Sequence, residues 1–342
     1  MKMKMTDYLP KISSDESVIL LLCTSLGRDS REVRPLTALS YDNVAMALRS
    51  RGFRPSDLMS ERIDEAVKCI ENVERQSQIR SLLVGQLALS LRIESWQRVG
   101  GWIVTRASRD YPKQLRRLGP KTPPVLFGIG NVRLLSAGGL AVVGSRELSP
   151  EASEFARAAA VVGASEGLGV ISGGARGADQ FAMTSALASH GSCIGVIAER
   201  LADLPSKPEW RRHLMDGSLC LVSPFDPDAP FSTGNAMGRN KTIFGLADVS
   251  LVVACRYGSG GTWAGAIENL REGWVPLLVN SPATVAAERG PAQQSGEAAL
   301  VSKGARAVDL ESLRRYIATK QWIADGGTRA KGLTDLFDAN LD

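Results

Sequence analysis

Three short glycine-containing stretches carry the residues of this chain best suited to chemistry, and the chemistry they suit is the holding of an anion. Gly144-Ser145-Arg146 and Ser172-Gly173-Gly174-Ala175-Arg176-Gly177 each combine glycine, a hydroxyl and one arginine, and Gly260-Gly261-Thr262 repeats the glycine and hydroxyl without the cation. Glycine lets backbone N–H groups come close to a phosphate, and a guanidinium adds charge-assisted hydrogen bonds in a fixed fork. Arg239-Asn240-Lys241 supplies two further cations. The same glycines also suit tight strand-to-helix turns that bind nothing.

Covalent and acid-base chemistry find little support. The two histidines, His190 and His213, fall at a helix end and in a charged helix, and the pattern spells no Ser/His/Asp or Cys/His set. Glu268 is the one plausible catalytic carboxylate, and its plainer reading is an exposed helix residue. Five cysteines, Cys23, Cys69, Cys193, Cys220 and Cys255, occur without a C-x-x-C pair, which implies neither a zinc site nor a disulfide framework. A dinucleotide cofactor would call for G-x-G-x-x-G and an acid closing the second strand, and both are missing. The chain therefore reads as a binding protein, not an enzyme, with no metal and no cofactor.

The elements that must position these loops follow from the apolar pattern. Residues 140–143 and 170–171 are short β-branched runs of the kind buried on both faces of a parallel sheet. Between them Ser149 offers an N-cap, Pro150 a first helical residue, and an alanine-rich stretch a helix to residue 164. Beyond residue 179 the alternation continues, with strands over 193–197, 218–222, 250–254 and 275–279 and helices over 180–189 and 209–215. Residues 224–238 read as a long irregular loop that delivers Arg239 to a helix N-terminus, where its ordinary partner would be Asp226 or Asp228. Such loops at the carboxyl ends of parallel strands are where open α/β sheets bind ligands.

Before the sheet, residues 16–25, 41–50, 62–73 and 77–91 read as helices, and the basic cluster over 105–118 reads as a solvated surface. After it come an Ala/Gly/Gln-rich loop over 282–296, a helical face at Leu310, Leu313 and Ile317, and an acidic-apolar end over 333–338. That end is similar to the tail of the sliding-clamp-binding pentapeptide without its leading Gln-Leu, and is expected to be a partner-binding peptide. The expected fold is α/β, an extended Rossmann-like parallel sheet with helices on both faces, preceded by a small N-terminal helical domain. The expected division is 1–100 helical accessory domain, 101–305 Rossmann-like domain and 306–342 C-terminal helix and tail. A net charge of +5 over 342 residues is compatible with a polyanionic partner. The apolar run over 18–23 is too short for a signal or a membrane span, so a cytoplasmic location is expected.

Three segments in order, DYPKQLRRLGPKTPPVLFGIGNVRLLSAGGLAVVGSR, VISGGARGADQFAM and GRNKTIFGLADVSLVVA, resemble the DNA-processing protein A family, DprA or Smf. The resemblance implies single-stranded DNA as the polyanion, a homodimer, and handover of protected DNA to a RecA-type recombinase in uptake or recombination. The residues expected to hold the DNA phosphates are those of the anion-suited loops, Gly144, Ser145, Arg146, Ser172, Gly173, Gly174, Arg176, Gly177, Arg239, Asn240, Lys241, Gly260, Gly261 and Thr262. Phe231, Tyr257 and Trp263 lie near these loops as candidate stacking platforms for bases. The loop over 258–262 departs from the family pattern and, with Glu268, leans toward LOG-type nucleotide phosphoribohydrolases. A nucleotide-binding sensor or such an enzyme, in a mobile-element defence setting, is therefore the alternative. Many family members carry a winged helix after the sheet, and the remaining tail is too short for a full one.

Overall fold

Strands β1 (Gly101–Thr105), β2 (Val125–Gly130), β3 (Leu140–Val143), β4 (Val170–Ser172), β5 (Cys193–Val196), β6 (Leu219–Ser223), β7 (Val249–Val252), β8 (Leu277–Asn280) and β9 (Arg306–Val308) form one sheet in the order β1-β2-β6-β5-β4-β3-β7-β8-β9. The computed structural model describes residues 12–28, 33–280 and 295–325. From β3 the chain winds outward in parallel through β4, β5 and β6, then lays β7 against the other side of β3 and winds outward through β8 and β9. The direction of winding reverses between β3 and β7. In an open sheet that reversal leaves a crevice beyond the carboxyl ends of the two strands, because their following helices leave for opposite faces. β1 and β2 close the far edge as an antiparallel pair on β6.

The helices are α1 (Ser14–Cys23), α2 (Ala38–Ser50), α3 (Ile63–Lys68), α4 (Val73–Leu82), α5 (Gln86–Arg98), α6 (Pro150–Ser165), α7 (Ala178–Ala188), α8 (Pro208–Asp216), α9 (Thr233–Leu246), α10 (Gly260–Glu272), α11 (Gly296–Ser302) and α12 (Leu310–Ala318). Leu140 and Val142 pack into one buried cluster with α6 and α7, while Ala141 and Val143 pack into a second with α9 and α10. Alternate residues of β3 thus serve opposite cores, as its unbroken apolar run requires. The first cluster continues without a break into Val18, Ile19, Val44, Ile79 and Leu89, so the amino-terminal helices share a core with the sheet.

Several expectations about local structure are corrected. The helix expected over 77–91 is two helices, because Gly85 takes φ 104°, which only glycine adopts readily. The basic cluster over 105–118 is solvated only in part: Arg109 and Lys113 are exposed, but Tyr111, Leu115 and Leu118 are buried, Arg117 donates to the Ala247 carbonyl at 2.7 Å, and Arg106 pairs with Asp42 at 2.8 Å. The irregular loop after β6 ends at residue 232, because the Ser232 hydroxyl accepts from the Asn235 N–H at 3.0 Å and starts α9 six residues before Arg239. β1 and β9 were not anticipated. α12 carries the expected buried Leu313 and Ile317. The tail over 333–338, and most of the loop expected over 282–296, lie outside the described residues.

Candidate functional site

The loops that follow β3, β4, β6 and β7 converge at the switch point, where they line two adjoining clefts of about 770 and 430 Å3. The larger lies between the loops after β3 and β7 and is lined by Gly144, Ser145, Arg146, Arg256, Gly258 to Thr262 and one side of α9. The smaller lies over β4 and β5, between Gly173 to Arg176, Glu199, Lys207 and Trp210. Arg146, Ala175, Phe231 and Arg239 line both. The two clefts therefore run as one trough across the carboxyl edge of the sheet. At the shared wall the Arg146 guanidinium stands 5.6 Å from the centre of the half-exposed Phe231 ring.

Glycine is needed here for loop-on-loop approach. At Gly177, φ is 83° and a Cβ would stand 2.4 Å from the Ser145 carbonyl oxygen. That oxygen accepts the Ala178 N–H at 3.2 Å, so the loop after β3 occupies the first amide of α7. The N-terminus of α10 is different. Ser259 makes no side-chain cap, and Gly260, Gly261 and Thr262 open onto the larger cleft. First-turn amides without a side-chain cap, at the positive end of a 13-residue helix, are of the kind that can accept an anion.

The other candidates divide by orientation. Arg146 and Arg176 are exposed at the trough. Ser172 is buried and donates to the Val142 carbonyl at 2.6 Å, joining β4 to β3. Asn240 donates to the Gly261 carbonyl at 3.1 Å and Thr262 to the Gly144 carbonyl at 3.0 Å, so both tie the start of α10 to its neighbours. Lys241 turns away: it pairs with Glu268 at 2.7 Å, and Lys121 reaches the same carboxylate at 2.8 Å. Burial works to raise the Glu268 pKa, but these two ammonium groups hold its carboxyl below the usual range. Neither Lys241 nor Glu268 lines the clefts.

Arg239 is the largest departure from expectation. It sits inside α9 rather than at its start and is buried, and its partner is neither Asp226 nor Asp228 but the buried Asp179, 3.6 Å away. Burial pushes the Asp179 carboxyl up against the pull of Arg239, and burial pulls the Arg239 guanidinium down. The pair is therefore a costly internal brace whose removal on one side leaves the other buried and unpaired. Of the aromatic candidates, Phe231 and Tyr257 are half exposed, while Trp263 packs partly into the core, edge-on to Tyr257 at 5.1 Å. Arg256 went unnoticed in the sequence; the signal available was its place just past a strand end in the switch crevice. Among the described residues no group of three His, Cys, Asp or Glu is placed to hold a metal ion, and no helix is long and apolar enough to cross a membrane.

The sequence model of the family described as DNA recombination-mediator protein A matches residues 102–316 of this chain. Protein Smf of Escherichia coli (strain K12) is 32% identical over 229 residues, which span 61% of this chain and 61% of that protein. Protein Smf of Synechocystis sp. is 29% identical over 196 residues, 56% of this chain and 49% of that protein. The chain thus spans about half to three fifths of the length of these curated relatives. Among solved structures, DNA processing protein A from Streptococcus pneumoniae shares the fold with a TM-score of 0.64 at 19% identity, covering 87% of this chain and 95% of that one. DNA processing protein A from Helicobacter pylori, described for its single-stranded DNA binding mode, gives 0.52 at 20% identity, covering 64% and 96%.

Proposed function

This chain belongs to the DNA recombination-mediator protein A family, and we propose that it binds single-stranded DNA along the carboxyl edge of its sheet in the course of recombination. The observation that carries the reading is the uncapped N-terminus of α10 on the larger cleft, with the exposed Arg146 on the wall that leads into the smaller one. A trough open along its length suits successive phosphates of a strand, whereas a site for one nucleotide would close around it. Phosphates sit at the α10 amides and against Arg146 and Arg176, and bases stack on Phe231 and Tyr257. Ser172, Gly173, Arg239, Asn240 and Thr262 act from behind by fixing the loops. Protection of the strand, handover to a RecA-type recombinase, and action as a homodimer follow from family membership as further parts of the proposal.

The test is binding of a labelled poly-dT oligomer in competition with duplex DNA and AMP at several salt concentrations. Each phosphate neutralised on a single strand lowers log affinity with a slope of about −0.7 against log salt. A steep salt dependence with weak competition by AMP is expected; a flat salt response or displacement by AMP at equal concentration overturns the reading. Glu268, the carboxylate on which the nucleotide-hydrolase alternative rests, is engaged by Lys121 and Lys241 away from the clefts, and this disfavours that alternative. Light scattering with and without DNA tests the dimer.

A further inference from the structure

The loop between β6 and α9, residues 224–232, carries Phe231 at one end and is fastened to the amino-terminal helices at the other. It contains no helix or strand, so nothing in its own ladder of bonds fixes it. The fastening comes from two acids. Asp226 accepts the backbone N–H of Ser25, just past α1, at 2.9 Å. Asp228 is ion-paired with Arg92 of α5, and Arg200 approaches its other oxygen at 3.5 Å. Within the loop Ala229 donates to the Asp226 carbonyl at 2.9 Å, and Ala202 donates to the Pro227 carbonyl at 3.1 Å, so the acids and the backbone between them form one braced turn. Three residues beyond Asp228, Phe231 stands on the wall shared by the two clefts.

The charges make sense only if the acids face away from DNA. Two free carboxylates this close to a phosphate trough would repel the strand. Engaged by Ser25 and Arg92, they are drawn toward the helical region instead, and neither lines the clefts. We propose that Asp226 and Asp228 are positioning residues through which the amino-terminal helices hold Phe231 against Arg146, so that single-strand affinity depends on contacts no DNA touches. This inference rests on the functional reading above and gives the helical region a part in it.

The test compares wild type, Arg92→Ala, Arg92→Ala with Asp226→Ala, and each of these in a Phe231→Ala background. Poly-dT affinity, its salt dependence and hydrogen exchange over residues 224–232 are measured. Releasing the tether is expected to lower affinity about 5-fold, the size of re-ordering one or two contact side chains, with the salt slope unchanged. Exchange should quicken in 224–232 and not in β3 or β7. In the Phe231→Ala background the release should cost nothing further, because both changes remove the same contribution. If wild type binds and the released variants bind equally well, or if the salt slope falls by about 0.7 because Arg92 itself meets a phosphate, the inference is wrong. Should the double variant unfold, Arg92→Ala alone decides, since that side chain is half exposed and its removal leaves the core untouched. Wild type that fails to bind poly-dT refutes the functional reading, and exchange over 224–232 then still reports whether the tether exists.

Discussion

The guanidinium of Arg239 fills the space that a side chain at Gly173 would need: a Cβ built there would stand 1.2 Å from Nη1. The loop after β4 can therefore lie flat on α9 only with glycine at this position and with the arginine held back by Asp179. Arg239→Ala leaves the buried Asp179 carboxylate unpaired and is expected to cost about 3 kcal/mol of folding stability. Asp179→Asn placed in the same chain should restore part of that stability. A denaturation cycle over the four variants checks this, and additive effects would mean that the two residues are not coupled.

Arg146 contrasts with it, being exposed with its guanidinium beside the Phe231 ring. Arg146→Ala should leave the melting temperature within a degree or two while weakening poly-dT binding by about 1 to 3 kcal/mol. The salt slope should fall by about 0.7 for each phosphate that Arg146 neutralises in the wild type. An unchanged slope with weaker binding would instead assign the effect to Phe231, the ring that Arg146 faces.

Glu268 predicts a pH dependence of stability. Its folded pKa is depressed by Lys121 and Lys241, despite burial acting to raise it. A depressed carboxylate contributes stability that is present above its unfolded pKa, ordinarily 4.5, and lost as pH falls through the folded value. Wild type should therefore lose stability in acid faster than Glu268→Gln, and at neutral pH that variant should be less stable by about 1 kcal/mol. Parallel curves for the two proteins between pH 3 and 7 would show that the carboxylate is not coupled to folding.

The central parallel strands were legible because they are buried on both faces and so are spelled as unbroken apolar runs, such as Leu140 to Val143, whereas the edge strand β9 is mostly exposed and carries no such run. The convergence of the glycine loops was legible for the same reason: parallel strands joined by helices must all point their carboxyl ends one way. What was not legible is which way each side chain turns. Arg239 and Arg146 look alike in sequence, yet one braces a loop and the other faces solvent, a difference set by where α9 starts. That start depends on the Ser232 cap, and Gly234 and Gly238 within the helix disguised it as loop. Likewise Lys241 reads as one more phosphate cation until α10 brings Glu268 beside it. The acids at 226 and 228 read as partners for the nearby Arg239 because their actual partners, Ser25 and Arg92, are far away in sequence.

Thr262 ties down the start of α10, and this gives the most direct test of the proposed amide cradle. Its hydroxyl donates to the Gly144 carbonyl at 3.0 Å, joining the first turn of α10 to the loop after β3 across the switch point. Thr262→Val keeps the shape and removes the donor, leaving that carbonyl without this partner at a cost of about 1 to 2 kcal/mol in stability. Thr262→Ser keeps the donor and should behave as wild type. If phosphate is held by α10 amides, the valine variant should also bind poly-dT more weakly, because the amides and Arg146 no longer share one fixed frame. Its salt slope should stay the same, since no cation is removed. Lower stability with unchanged affinity would place the strand elsewhere on the edge and leave Thr262 as a structural tie alone.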